Sequence, residues 1–259
     1  MAARGLRRAA GSILGRGPTR YPALSACCGW WTQIFVPSDP GLRLANITVT
    51  VRGHGETLPI LAIPALAIDA GTSIGLAGPS GSGKTTLLHV IAGLLRPDHG
   101  TVVWDGSEVS RLSEAARASW RRRVVGMVFQ DFLLVPELSA LDNVLLPCGF
   151  SGFSNRAQRA PAIALLAELG ITAPRRRAAA MSRGEQQRAA IARALLFRPK
   201  LILADEPTAS LDAMTATAMT DLLVAQATAT GATLVVVSHD TRLLSRMDRV
   251  VHLDRGRLA

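Results

Sequence analysis

The chain has 259 residues, 48% of them hydrophobic and 19% charged, a composition that supports a packed core in one large or two modest domains. No apolar run reaches the roughly 18 residues needed to cross a bilayer, so the sequence predicts no membrane-spanning helix and any membrane role depends on a partner. The formal net charge is +10, but the positive residues form no basic stripe interleaved with aromatic residues, and we therefore expect no nucleic-acid partner.

The first 40 residues differ in composition from the rest of the chain. They hold five arginines, several glycines and prolines, and no acidic residue before Asp39. An arginine-rich, acid-poor start resembles an organelle transit peptide, but a disordered arm or a gene start assigned too far upstream is the simpler explanation. We expect residues 1–40 to be a disordered extension and residues 41–259 to form the folded domain.

Two stretches of alternating apolar and polar residues follow. They cover residues 44–51 and 58–68, and Gly53 and Gly55 lie between them. Alternation is typical of half-buried strands, and glycines favour the turn that joins them. The sequence therefore predicts an N-terminal antiparallel β subdomain.

Residues 78–86 match the phosphate-binding pattern G-x-x-x-x-G-K-S/T at every required position. An apolar run at 72–77 predicts a buried strand before the loop, and residues 85–95 have helical spacing after it. In this context backbone N–H groups and the helix N-terminus bind phosphate oxygens, a lysine reaches the outer phosphates and a hydroxyl binds Mg²⁺. The predicted nucleotide-binding residues are Gly78, Pro79, Ser80, Gly81, Ser82, Gly83, Lys84, Thr85 and Thr86.

The middle of the chain adds a hairpin and a helical insertion. Residues 101–104 predict a strand that turns at Asp105 and Gly106, residues 113–123 a short basic helix, and residues 124–129 a buried strand. The stretch from about 131 to 180 is mostly helical in pattern, with a helix start at residues 139–142. We interpret it as an inserted helical subdomain.

The last third of the chain alternates helices with apolar strands. Helices are predicted at residues 182–196 and 213–229, and strands at 201–204, 232–237 and 249–253. Apolar strands separated by helices are typical of a parallel sheet covered on both faces. The predicted fold is thus an α/β phosphate-loop NTPase with a mainly parallel core sheet, an N-terminal antiparallel β subdomain and an inserted helical subdomain.

Two carboxylates, Asp205 and Glu206, follow the predicted strand 201–204. Acids at the end of a strand in the same sheet as a phosphate loop lie beside a bound Mg-nucleotide. Asp205 is therefore predicted to hold Mg²⁺, and Glu206 to orient and deprotonate the attacking water.

At this point the sequence resembles the ABC ATPase family, from about residue 44 to 258. Residues 181–188 resemble the family's signature loop, just upstream of the acidic strand. By position, Gln130 resembles the Q-loop residue, His239 the switch histidine, and Ser210, Leu211 and Asp212 the D-loop. The resemblance implies nucleotide-binding roles for Ser182, Gly184, Glu185 and Asp212, catalytic roles for Glu206, His239 and Gln130, and a metal site at Thr85, Gln130 and Asp205.

The resemblance also implies an activity and its partners. The cofactors are ATP and Mg²⁺, and the reaction is hydrolysis of ATP by water to ADP and phosphate. The loop at 79–88 and the stretch at 138–147 resemble the lipoprotein-releasing, macrolide-export and cell-division branch, whose ATPase subunits pair with a membrane protein of few helices. We therefore expect a subunit of a transporter or mechanotransmission complex that pairs with itself or a related ATPase and with an integral membrane permease-type subunit, peripheral on the cytoplasmic face of the cell membrane.

Two positions depart from the family pattern. An aromatic ring usually stacks on adenine near the end of the first strand, where this chain has Val51, Arg52 and His54. Arg183 replaces a usual glycine of the signature loop, and we expect its side chain to face outward. Both departures keep open an alternative, a regulatory or scaffolding nucleotide-binding protein with little turnover.

Overall fold

A computed structural model describes residues 41–53, 56–151, 155–209 and 211–259. The predicted extension at 1–40, His54 of the first strand's end and Ser210 of the D-loop lie outside the described residues.

The N-terminal sheet is antiparallel, as predicted. Strands β1 (Gly41–Gly53) and β2 (Glu56–Asp69) pair along their whole length, from Gly41 opposite Asp69 to Gly53 opposite Glu56. Strands β4 (His99–Trp104) and β5 (Ser107–Glu108) extend this sheet in the order β2-β1-β4-β5. Asp105 and Gly106 make the predicted turn, with φ of 44° and 76°, because a tight two-residue hairpin turn places both central residues in the left-handed region.

The core sheet contains six strands in the order β10-β9-β3-β8-β7-β6. All its neighbours are parallel except β9 and β10, so the prediction of a mainly parallel sheet is confirmed. The sequence did not reveal β10, which is only two residues long. The strands are β3 (Ser73–Ala77), β6 (Val125–Val128), β7 (Leu201–Asp205), β8 (Thr233–Val237), β9 (Arg249–Asp254) and β10 (Arg257–Leu258).

The parallel strands separate two hydrophobic cores. Leu201 and Leu203 of β7 pack into the core shared with the antiparallel sheet. Ile202 and Ala204, on the opposite face, pack into the core formed with the helices. Successive side chains of a strand point to opposite faces, so a continuously apolar strand such as β7 must be covered on both sides.

Eight α-helices surround the sheets in the described part of the chain. Helix α1 ends at Ile91 rather than near residue 95, because Gly93 adopts φ 65° and Leu94 donates its N–H to the His89 carbonyl, the geometry that terminates helices. The short helix α8 was not predicted. The helices are α1 (Lys84–Ile91), α2 (Glu114–Val124), α3 (Ala140–Leu145), α4 (Cys148–Ser151), α5 (Asn155–Glu168), α6 (Arg183–Leu195), α7 (Ala213–Thr230) and α8 (Thr241–Leu244).

Helices α3, α4 and α5 lie in the stretch interpreted as a helical insertion. Helix α6 packs against both α3 and α5, so the packed group of helices continues past residue 180. Within the ranges described, no helix combines the length and the apolar character needed to cross a membrane.

Candidate nucleotide site

The phosphate loop connects β3 to α1, as predicted, and its shape depends on glycine. Gly78 has φ 145°, and a Cβ there would lie 2.0 Å from the Leu253 carbonyl oxygen. Gly83 has φ 99°, and its Cβ would lie 2.9 Å from Leu61. Left-handed backbone and close approach both exclude other residues at these two positions. The N-terminus of α1 carries no side-chain cap, so its N–H groups remain free to bind an anion.

Lys84 and Thr85 begin α1 and point their polar groups in different directions. The Lys84 ammonium donates to the carbonyl oxygens of Gly78 and Pro79, at 2.9 and 2.8 Å, and this residue is 8% exposed. The Thr85 hydroxyl donates to Oδ1 of Asp205 at 3.2 Å. The loop thus places a cation and a hydroxyl–carboxylate pair beside one cavity.

Asp205 is a buried acid at the end of β7. It is 6% exposed, and burial raises the pKa of its carboxyl, against the lowering effects of the Thr85 hydrogen bond and of nearby His89 and Lys84. The folded chain therefore holds this proton to a higher pH than the unfolded chain does. Folding stability must fall as pH rises from the ordinary aspartate pKa through the raised one.

Replacing Asp205 by asparagine should therefore raise the melting temperature of the nucleotide-free protein at pH 7. The substitution removes the desolvated charge and keeps an oxygen that accepts the Thr85 hydroxyl. The gain should shrink as the pH is lowered below the pKa of Asp205, where both side chains are neutral. Thermal melts across this pH range check the prediction, and an equal or lower melting temperature at pH 7 would contradict it.

Glu206 leaves the sheet at a strained position. Its φ is 46°, rare for a residue other than glycine, and its N–H donates to the Val237 carbonyl at 2.9 Å. Oε2 of Glu206 lies 2.9 Å from Nδ1 of His239, yet it accepts no hydrogen bond from the described residues, so the imidazole approaches it from an unfavourable angle. Such strain costs about 1–3 kcal/mol and is concentrated at functional sites. This positive φ follows directly after the last residue of β7, and the carboxylate lies beside His239.

One cavity of about 540 Å³ collects most of the predicted residues. Gln130, two residues after the last residue of β6, is exposed and lines the cavity. Three further lining residues, Ile60, Ala209 and Val237, were not predicted. The predicted residues that line it are Gly78, Ser80, Gly81, Gly83, Lys84, Thr85, Thr86, Gln130, Glu206 and His239.

Ile60 reaches the cavity through an irregularity in the first sheet. The pairing of β1 and β2 shifts between Val49 and Thr50, and Ile60 has no partner in the register. β-bulges re-aim side chains next to functional sites. Beyond the bulge, Val51 and Leu58 are directly opposite and 52% and 54% exposed, so this edge presents aliphatic side chains. A bulge of this kind has no signal in a single sequence.

The signature and D-loop residues lie outside the cavity. Ser182 caps α6 and forms a capping box with Glu185, whose other oxygen pairs with Arg176. This set of hydrogen bonds, led by the one from the Ser182 N–H, holds the pKa of Glu185 below its usual range. Asp212 is exposed and caps α7 by accepting from Met214 and Thr215. Ser182, Gly184, Glu185 and Asp212 are thus not brought together with the phosphate loop within one chain. Pro79, which is exposed, and Ser82 and Asp205, which are buried, do not line the cavity either.

The chemistry of the site suits a nucleotide with a divalent cation. A side chain at Gly78 or Gly83 would collide with Leu253 or Leu61 and so disturb the loop, and the buried Ser82 hydroxyl has no partner among the described residues. Thr85 and Asp205 offer oxygen ligands, and Gln130 offers an amide oxygen nearby. Mg²⁺ prefers a few such oxygens together with phosphate and water. Phosphate and Mg²⁺ therefore fit the residues present.

Comparison with solved structures identifies proteins of the same fold. The dimeric bacterial ABC transporter cassette MJ0796 is 36% identical, with a TM-score of 0.77 over 84% of this chain and 96% of that one. The same cassette, in a post-hydrolysis state bound to ADP and Pi, gives a TM-score of 0.75.

Sequence comparison leads to the same group of proteins. The ABC transporter family model matches residues 62–209. The lipoprotein-releasing system ATP-binding protein LolD 2 of Caulobacter vibrioides is 45% identical, over 85% of this chain and 97% of its own length. LolD of Geobacter metallireducens is 44% identical, over 80% and 92%. The fold and the ATP-hydrolysing class predicted from the motifs are confirmed, and the chain belongs to the ABC transporter family as one of its ATP-binding subunits.

Proposed function

We propose that this chain works as a dimer that hydrolyses Mg-ATP and drives an integral membrane subunit, in a complex that handles lipoproteins. The observation that carries the proposal is the single cavity that joins the phosphate loop to Glu206, His239 and Gln130. The similarity to LolD proteins over nearly their whole length supports the lipoprotein assignment. It also supports a place on the cytoplasmic face of the membrane.

The side chains at the cavity divide the work of hydrolysis. Lys84 exchanges its carbonyl partners for phosphate oxygens, and Glu206 orients the attacking water and takes its proton. His239 lines the same cavity, 2.9 Å from the Glu206 carboxylate, and would donate to the outer phosphate. Thr85, Asp205 and Gln130 would hold Mg²⁺, which neutralises charge on the phosphates when bound. The strained backbone at Glu206 pre-positions the base.

A second copy of the chain completes the site. Ser182, Gly184 and Asp212 lie away from the cavity of their own chain, and Ser182 and Asp212 are exposed. The Ser182 cap accepts from the Glu185 N–H, which leaves the Arg183 and Gly184 N–H groups in the first turn of α6 to bind an anion. The dimeric state of the related cassette supports a partner copy placed to receive them. We assign Ser182, Gly184, Glu185 and Asp212 to the nucleotide bound by the opposite subunit.

Recognition of the nucleobase should be weak. The cavity edge offers Ile60 and, farther along the same strands, Val51 and Leu58, none of which is aromatic. Aromatic stacking contributes about 1–3 kcal/mol per base where it is used, so ATP and GTP should bind within about threefold of each other here. Val51→Tyr should tighten ATP binding by about fivefold or more. Competition with a fluorescent nucleotide measures the affinities for ATP and GTP and the gain from Val51→Tyr. Val250→Tyr, on β9, is the control. A strong preference of the unchanged protein for ATP would contradict the prediction.

Purification of the tagged full-length chain from detergent-solubilised membranes tests the assembly. A Glu206→Gln variant with ATP should retain an integral membrane subunit and acylated proteins, identified by mass spectrometry. A Lys84→Ala variant should lose the ATP-dependent part of this association. Recovery of soluble proteins alone would exclude the proposal and would favour the regulatory alternative that Arg183 and Val51 raise.

A further inference from the structure

The turn that follows Gln130 is strained and needs external support. Phe132 and Leu133 have φ of 60° and 48°, although neither is glycine. Leu133 donates its N–H to the Asp131 carbonyl at 2.6 Å, which closes a γ-turn around Phe132 with positive φ at its centre. Such turns are rare because they are strained. A turn of this kind persists only where its surroundings hold it.

Helix α6 supplies this support at two points. Arg193 donates to the carbonyl oxygens of Phe132 and Leu133, the latter at 2.6 Å. Ten residues earlier, Arg183 places its guanidinium 5.1 Å from the centre of the Phe132 ring, a cation–π contact. Phe132 itself is 2% exposed. The turn therefore contacts residues near both ends of α6, a helix about 20 Å long.

Arg183 is the first residue of α6, directly after the Ser182 cap. Its side chain is exposed in the single chain and lies over the Phe132 ring, a contact that the sequence did not reveal. That it faces away from the interface of a dimer stays a prediction. The contact joins the signature-loop end of α6 to a residue two positions after Gln130. A glycine at position 183 would have no side chain to place over the ring.

We propose that Arg183 and Phe132 are positioning residues. Their contact holds the turn that follows Gln130 in a fixed position relative to the signature loop. The inference rests on the proposed function, in which Gln130 serves the chain's own nucleotide and Ser182 and Gly184 serve that of the partner copy. With the contact in place, the two nucleotide sites of a dimer are mechanically connected through each subunit. Without it, only the Arg193 hydrogen bonds join the turn to α6, and the start of α6 must be ordered against the turn when the dimer closes.

The contact predicts a change in dimer closure with little change in turnover. Arg183→Ala should weaken ATP-driven dimerisation by about fourfold to twenty-five-fold. Loss of one cation–π contact at an exposed site lowers an association constant by about twofold to fivefold. A dimer contains two such contacts, so the two factors multiply. The turnover rate at saturating ATP should change by less than about threefold. The ATP concentration for half-maximal rate should rise, because only closure is affected.

A double-mutant cycle in the Glu206→Gln protein tests this, with dimerisation by ATP measured by light scattering and each variant's melting temperature recorded. Arg183→Ala and Phe132→Leu should each weaken dimerisation. The double variant should dimerise no more weakly than the more affected of the two single variants. Arg183→Lys should keep part of the dimerisation that Arg183→Ala loses. Arg159→Ala, an exposed arginine of α5, is the control.

Hydrogen exchange provides a second readout without nucleotide. Arg183→Ala should speed amide exchange at residues 129–135, and Arg159→Ala should not. Additive losses in the cycle, unchanged exchange, or losses that follow the melting temperature would overturn the positioning role. Failure of the Glu206→Gln parent to dimerise with ATP would overturn the proposed function, and the positioning role with it.

Discussion

Glu206→Gln is expected to bind Mg-ATP and to hydrolyse it at least about 100-fold more slowly than the unchanged chain. Removal of a general base typically costs 10²–10⁴-fold, that is, about 3 kcal/mol or more of the activation free energy. Glutamine has nearly the same shape and keeps an oxygen that can orient water, but it cannot take the proton. Binding should survive because Glu206 makes no hydrogen bond that holds the phosphate loop in the structure. The variant should therefore accumulate as a nucleotide-bound dimer.

Steady-state phosphate release and size-exclusion chromatography with ATP measure these two effects together. Glu137→Gln, an exposed acid outside the cavity, is the matched control for loss of one negative charge. His239→Ala should reduce turnover as well, since His239 lies 2.9 Å from the Glu206 carboxylate in the same cavity. A Glu206→Gln protein that keeps near-parental activity would refute the role of Glu206 as the base.

The sequence was informative wherever function requires a fixed local arrangement. The glycines of the phosphate loop are dictated by left-handed backbone at Gly78 and Gly83, so the motif itself carries the geometry. The apolar strand before Asp205 similarly specifies burial on both faces. Such features can be read from residue order because neighbouring residues determine them.

Features that depend on residues distant in sequence were missed. The bulge at Ile60 arises from the pairing of two strands, and the contact of Arg183 with Phe132 joins residues 51 positions apart. Separation of the signature residues from the cavity is also a tertiary property. The role of each site residue stays a prediction until variants are measured.

Lys84→Ala is expected to weaken ATP binding by at least about tenfold. A charge-assisted hydrogen bond is worth about 1.5–3 kcal/mol, or roughly 10- to 150-fold in affinity. In the structure, the ammonium donates to the carbonyls of Gly78 and Pro79 and so stabilises the conformation of the phosphate loop. Alanine removes both the phosphate contact and this support. Arginine should not restore full affinity, because its planar fork does not fit a site built for a compact ammonium.

The chain contains only two lysines, which makes this prediction unusually direct to test. Lys200 is 71% exposed and lies 4.0 Å from Asp105, on the surface, so Lys200→Ala should leave ATP affinity unchanged. Amine-reactive labelling of the unchanged protein with and without ATP then compares both lysines in one experiment by mass spectrometry. ATP should protect Lys84, because its ammonium is then paired with phosphate, and should not protect Lys200. Equal labelling of Lys84 in both conditions, together with unchanged affinity of Lys84→Ala, would show that the phosphates bind elsewhere.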